Sequence, residues 1–216
     1  MSFCCAGRQA EVRSLAMTIL ILVKTPLFHC EIEDNSLVSI YNNPGYPVHP
    51  VHKSRDMEKK AFQDYYTEEF SYCYGCGRLN EHGLQIKSYW DGEESVCVFQ
   101  PRPYHTAIPG YVYGGLIASL IDCHSTGTAA AAAYRAQDRL LGSEPALRFL
   151  TASLHVDYIR PTPIDTYLEV RASVKEIKGR KVVVSSAVYA HGEVCARGEV
   201  VAVQVPEHLA AQSVKT

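Results

Sequence analysis

No stretch of this chain reads as a membrane anchor, a nucleic-acid surface or a serine-hydrolase elbow, and each absence removes a class of function. The apolar run near the N-terminus, Leu15 to Val23, is stopped by Lys24 and Pro26 after nine residues, where a bilayer-crossing helix takes about 20. No small-residue cleavage pattern follows it, so it reads as a leader, a packing strand, or the product of a start codon placed too early, with Met17 as the alternative start. Basic residues are scattered: the densest group is Lys178-Gly179-Arg180-Lys181 and the net charge is −2, which leaves no electrostatic footprint for nucleic acid. Gly-x-Ser-x-Gly is missing, which disfavours a serine hydrolase. Internal repeats are missing too, and the alanine run 129–133 is the sole low-complexity segment.

Eight cysteines, at 4, 5, 30, 73, 76, 97, 123 and 195, are present. Several sit inside apolar strand or helix patterns, where a free thiol behaves as a small hydrophobe, so they read as reduced and the protein as cytoplasmic. Cys73-x-x-Cys76 finds no second such pair and no histidine pair at a useful spacing, so no metal site is expected. With 47% hydrophobic and 20% charged residues, the chain has material for one globular domain plus extensions.

Residues 1–69 read as an N-terminal extension: the leader, a polar, turn-rich linker over 31–50, and a short amphipathic helix over 51–69 carrying Met57, Ala61, Phe62 and Tyr65 at helical spacing on the outside of the domain. The domain itself runs over 70–207, and 208–216 form a tail. Leu84 to Trp90 and Ser95 to Gln100 alternate as strands joined at Asp91-Gly92, a hairpin signal. A helix follows over about 114–136. After a loop holding Gly142 and Pro145, strands are expected over 149–159, 166–177, 181–190 and 194–205, with Leu150, Ala152, Leu154, Val156 and Tyr158 forming the apolar stripe of the first. Strands, one long helix and more strands make an α+β fold in which an antiparallel sheet wraps the helix.

The helix carries the chemistry. Leu116, Ile117, Leu120 and Ile121 recur as a core face, while Gly115, Ser119, Asp122, Thr126 and Ala129 form a second stripe of small residues holding one carboxylate. An Asp in a helix is commonly a solvated face residue. This helix, however, has no other charge until Arg135, and a carboxylate in such surroundings is paired, hydrogen-bonded or functional. Gly114 and Gly115 begin the helix, where backbone N–H groups have no internal partner and can receive a polarised carbonyl oxygen. Seven residues separate Gly115 from Asp122, about 10 Å at 1.5 Å per residue, so one helix cannot apply both groups to one carbonyl. Two helices meeting antiparallel along the small-residue stripe would supply both, giving two equivalent sites at an isologous interface. Cys123 lies about 100° round the helix from Asp122 and reads as packing; His124 faces farther off still, which argues against an Asp–His relay.

Three motifs in order, CYGCGRLNEHGLQI, VYGGLIASLID and LTASLHVDYIRPTPI, resemble those of the hotdog-fold acyl-CoA thioesterases, in particular the PaaI-like (phenylacetate-type) branch. The resemblance covers roughly residues 70 to 205. It implies a hotdog fold, a homodimer or homotetramer, an acyl-CoA substrate and no cofactor, coenzyme A being part of the substrate. In that family His-Gly-Gly opens the central helix, an Asp nine residues after the His acts as base or nucleophile, and a Thr or Ser on the next strand assists. These roles fall on Asp122 and Thr151, with Gly115 N–H polarising the carbonyl. Tyr113 stands where the family has its His, so a phenol must take over whatever the imidazole does.

Substrate contacts are assigned to Gly114, to Asn80 in Gly-x-x-Asn-x-x-Gly-Leu, and to Arg160, Lys178 and Arg180, with Lys181 beside them, as cations at strand ends suited to the coenzyme's phosphates. Asn80 also has the ordinary reading of a turn residue bonding its own backbone, and the cations that of solvated turn charges. The alanines at 129–133 leave room for an acyl group or allow close packing. Two other functions stay open: a hotdog dehydratase or hydratase, against which Tyr113 weighs, and a non-catalytic acyl-CoA-binding protein, which the Tyr113 replacement keeps open.

Overall fold

A computed structural model describes residues 60–206 of the protein. The leader, the linker, the first part of the helix expected over 51–69, the tail, and Cys4, Cys5 and Cys30 lie outside the described residues. After two short 3₁₀ turns, Phe62–Tyr65 and Glu68–Phe70, come strands β1 (Tyr89–Asp91) and β2 (Glu94–Phe99), helix α1 (Gly114–Ala136), and strands β3 (Phe149–Tyr158), β4 (Leu168–Lys178), β5 (Lys181–Ala190) and β6 (Glu193–Gln204). The strands form one antiparallel sheet in the order β1-β2-β4-β5-β6-β3, and it packs against α1, as the α+β hotdog reading expects. Among the described residues no helix is long and apolar enough to cross a membrane.

Alternation places the core. On β4, Leu168, Val170 and Ala172 point inward while Glu169 and Arg171 face out, where Arg171 bonds Asp91 at 3.0 Å and Glu169 at 2.5 Å. From the helix, Leu116, Ile117, Leu120 and Ile121 meet this face and the matching residues Val184, Val188, Ala196 and Val200 of β5 and β6. Leu120 and Ile121 are fully buried, a burial that contributes about 1.5–3 kcal/mol for each side chain. His124 is buried on the opposite side from solvent, its ring between Ser88 Oγ (2.9 Å) and Ser95 Oγ (3.1 Å), with Thr128 and Gln63 completing a polar network. Burial pushes its imidazole down to about 4, against the pull of its Ser95 contact, so the ring is a neutral structural group and takes no part in a relay with Asp122.

Two local expectations need correcting. The described part of the segment 51–69 forms 3₁₀ turns in place of an amphipathic α-helix: Phe62 N–H donates to the Ser88 carbonyl at 2.9 Å, and Ala61 N–H to Asp64 Oδ2 at 2.9 Å, so the backbone is tied to its neighbours before a helix can propagate. Ala61 and Phe62 are buried. The first strand is three residues long instead of spanning Leu84 to Trp90. Upstream of Tyr89 the backbone is already taken, with Leu84 N–H on Tyr74 O (2.7 Å), Ile86 N–H on Gly75 O (3.0 Å) and Ser88 N–H on Gln63 Oε1 (2.8 Å).

Strand β3 breaks the simple alternation. It has one neighbour, β6, and is therefore an edge strand; Thr151 pairs with Ala202 but Ser153 with Val201, so Ala152 is an extra residue. Before this bulge the odd positions Phe149 and Thr151 share the face of β6's buried residues; after it the even positions Leu154, Val156 and Tyr158 do. The expected single stripe from Leu150 to Tyr158 is thus two half-stripes of opposite phase. Leu150, Leu154 and Tyr158 remain 60%, 38% and 54% exposed, which leaves the edge apolar and uncovered in one chain.

Candidate active site

Asp122 sits two turns into α1, half-buried. Its Oδ1 accepts the Thr151 hydroxyl at 2.5 Å, and Thr151 Oγ1 lies 2.9 Å from Thr126 Oγ1, one helical turn beyond Asp122. With its proton committed to the carboxylate, Thr151 accepts from Thr126, so the chain of donation runs Thr126 to Thr151 to Asp122. This pins one carboxylate oxygen and the two hydroxyls behind it. Oδ2 forms no hydrogen bond among the described residues, and is the atom free to take a proton or attack a carbon. The bulge at Ala152 is what puts Thr151 on the helix side of its strand.

A cavity of about 440 Å³ opens beside this carboxylate. Aromatic side chains line much of its wall, among them Phe62, Tyr66, Phe70, Tyr134 and Phe149; Ala130 lines it as well. The alanine run therefore serves both purposes: Ala130 makes room, while Ala129 and Ala133 join the packed core. Burial, reinforced by the nearby Cys76, Cys123 and Cys73 sulfurs, raises the Tyr66 phenol well above its ordinary range, so it is a neutral hydroxyl. Arg148 lies at the rim, 2.5 Å from Glu69 and stacked 4.2 Å over Phe70. Sequence reasoning missed Tyr66, Tyr134 and Arg148, because they lie in segments taken as a linking helix, a helix end and a loop; Thr126 was visible in the small-residue stripe.

The other half of the predicted site is at the start of α1. Tyr113 is the residue before the first turn, and its N–H donates to His105 O at 2.8 Å. Leu116 and Ile117 N–H groups return to the Tyr113 carbonyl (3.0 and 3.4 Å), while Gly114 and Gly115 N–H groups form no hydrogen bond among the described residues. The Tyr113 ring folds over Gly115 so closely that a Cβ there would stand 2.3 Å from ring Cε1 and 2.6 Å from the hydroxyl. Only glycine allows that approach. Tyr158 closes the other side, donating its hydroxyl to Gly114 O at 2.8 Å. Neither Tyr113 nor Gly115 lines the cavity beside Asp122. Within one chain the two halves stay apart, as the helical rise requires.

The remaining predicted contacts divide between these two ends. Arg160 is paired with Glu193 near Tyr158 and Gly114. Lys178 and Arg180 are exposed on the β4–β5 turn with Lys181, which pairs with Glu176 at 2.8 Å; through β6, Lys181 shares a register row with Leu150, next to Thr151. Asn80 is held in its loop. Its Nδ2 donates to Tyr72 O (3.1 Å) and its Oδ1 accepts from His82 N–H (3.0 Å), so the amide is occupied as a turn residue outside the cavity wall. Cys123 packs against the core as expected, and its sulfur also lies within 3.8 Å of Cys73 Sγ.

The thioesterase superfamily model matches residues 109–196, which include the start of α1, Asp122 and Thr151. Acyl-coenzyme A thioesterase THEM4 of Xenopus laevis is 30% identical over 156 residues, covering 71% of this chain and 59% of that protein. Its Bos taurus counterpart is 29% identical over 155 residues, covering 66% and 56%. The chain thus spans less than two thirds of the length of these relatives. A solved thioesterase superfamily protein from Shewanella loihica PV-4 is 49% identical with a TM-score of 0.50, covering 67% of this chain and 99% of that one.

Proposed function

From the premise that the chain belongs to the thioesterase superfamily, we propose that it hydrolyses acyl-coenzyme A thioesters to the free acid and coenzyme A. The observation that carries this is Asp122: one carboxylate oxygen pinned by Thr151, the other free, at the wall of an aromatic-lined cavity able to take an acyl group. Asp122 draws a proton from a water molecule that attacks the thioester carbon, or attacks that carbon itself to give a mixed anhydride that water then hydrolyses; in either course the carbonyl oxygen's developing charge is received by a Gly115 N–H, the C–S bond breaks and the sulfur leaves as thiolate. Water is the one co-reactant, so no cofactor is called for. The free thiols at Cys73, Cys76, Cys97, Cys123 and Cys195 fit a reducing, cytoplasmic setting.

The Gly115 that serves a given Asp122 belongs to a second copy of the chain. Supporting this, Gly115, Ala118, Ser119 and Asp122 form a half-exposed strip of small residues along α1, and the neighbouring edge strand β3 leaves Leu154 and Tyr158 open. Two helices laid antiparallel along this strip would bury it and complete two equivalent sites. Arg160 near the helix start and the Lys178–Lys181 turn at the Thr151 end then bracket the site as cations for the coenzyme's phosphates.

The test is release of free thiol from short, long and aromatic acyl-coenzyme A esters. Turnover of at least one class supports the proposal; binding of all without release overturns it. Subunit sharing has its own test. An Asp122→Asn chain and a Gly115→Pro chain, each close to inactive alone, are expected to regain part of the activity when co-expressed, since half of the sites in a mixed dimer receive neither lesion. Proline removes the N–H and suits a first helical turn, but its Cβ must displace the Tyr113 ring that lies over Gly115, so folding of this variant is checked alongside its activity. If mixed dimers form and remain as inactive as their parents, both groups act within one chain.

A further inference from the structure

Three thiols from two distant parts of the chain converge at one wall of the cavity. Cys73 and Cys76 lie in the loop before β1, and Cys123 is on α1 next to Asp122; their sulfurs all lie within 4.8 Å of one another. Cys73 Sγ and Cys123 Sγ are 3.8 Å apart. A tetrahedral cation holding sulfur at about 2.3 Å sets its ligands about 3.8 Å from each other, so this edge already has the spacing of a metal site.

The loop is built to bring the sulfurs in. A Cβ at Gly75 would stand 2.2 Å from Cys123 Sγ, and one at Gly77 2.4 Å from Ser71 O. Cys-Tyr-Gly-Cys-Gly therefore closes on its glycines, one of which clears the path for the third sulfur. Cys73 is exposed while Cys76 is buried, which gives an ion a way in.

We propose that Cys73, Cys76 and Cys123 bind one thiophilic divalent cation of the zinc class, with its fourth coordination position open to the cavity that Asp122 also lines. Among the described residues no fourth His, Cys, Asp or Glu joins the cluster, so water or a small thiol completes the tetrahedron. The lack of a second ligand pair in the sequence concealed this arrangement, because the third ligand comes from a helix 50 positions after Cys73. A disulfide would use two of the sulfurs and need them drawn from contact to about 2 Å; it would leave the third thiol without a role.

The experiment uses the full chain, reduced, stripped with a chelator and titrated with Co²⁺ and then Zn²⁺. One Co²⁺ per chain is expected, with sulfur-to-cobalt charge-transfer absorption and the intense visible bands of tetrahedral coordination, displaced by one equivalent of Zn²⁺. Cys73→Ser and Cys123→Ser should each weaken binding beyond the 10- to 100-fold that even an outer-shell change costs, while Cys195→Ala leaves it unchanged. Cys73 is exposed, so its variant keeps the test decisive if Cys123→Ser does not fold. Weak octahedral bands, or equal affinity in Cys73→Ser, overturn the proposal. So does a Cys73–Cys123 disulfide in the isolated protein with no Co²⁺ binding after reduction. None of these readouts depends on hydrolytic activity.

Discussion

Asp122→Asn is expected to lower acyl-coenzyme A hydrolysis by about a hundredfold or more, the range for loss of a general base or nucleophile. The amide keeps the size of the side chain, and its oxygen can still accept from the Thr151 hydroxyl that now meets Oδ1 at 2.5 Å. Packing and the Thr126–Thr151 pair therefore survive, and the loss falls on the free Oδ2, which becomes a group that neither takes a proton nor attacks. Assay of kcat and KM, with the oligomeric state and melting temperature measured alongside, separates this from unfolding. Activity within threefold of the parent would remove Asp122 from the mechanism. A large loss of melting temperature would show instead that the carboxylate's role is structural.

Tyr113→Phe is the second large effect. The Tyr113 ring lies against Gly115, its hydroxyl over the start of α1, beside the N–H groups assigned to the thioester oxygen. A phenol there can donate to that oxygen or hold the attacking water, whereas an inert ring would merely wall the site. If the hydroxyl takes part, kcat should fall about 10- to 1000-fold with KM little changed, the mark of an interaction made mainly in the transition state. Unchanged turnover would make the ring a wall. Binding by the parent, Phe and His forms with hydrolysis by Tyr113→His alone would make the natural protein a binder that has lost its chemistry.

How far the sequence discloses this site depends on how local each determinant is. The helix start at Gly114, the strand ends near Lys178 and Lys181, and the turn at His191 are written in glycine placement and alternation, and the structure has them within a residue or two. Asp122 was legible because a lone carboxylate in an apolar helix demands a reason. The pairing of Thr151 with Asp122 came from the family resemblance; periodicity alone placed Thr151 on the solvent stripe, since a one-residue bulge leaves no mark in a hydrophobicity pattern. The cavity wall and the third sulfur were illegible for a different reason. They depend on contacts between residues far apart in the chain, such as Phe62 with Ser88 and Cys73 with Cys123, which no window of sequence contains.

The bulge at Ala152 can also be stated as a matter of phase. A strand encodes facing by parity, odd residues to one side and even to the other, and Ala152 resets the count midway. Thr151, which serves the carboxylate, and Tyr158, which clasps the helix start, differ by seven positions and would look in opposite directions on a regular strand; the extra residue lets one strand tend both ends of the same helix. Loss of that single alanine would leave composition and hydrophobicity almost untouched while sending one of the two hydroxyls to the wrong side of the sheet.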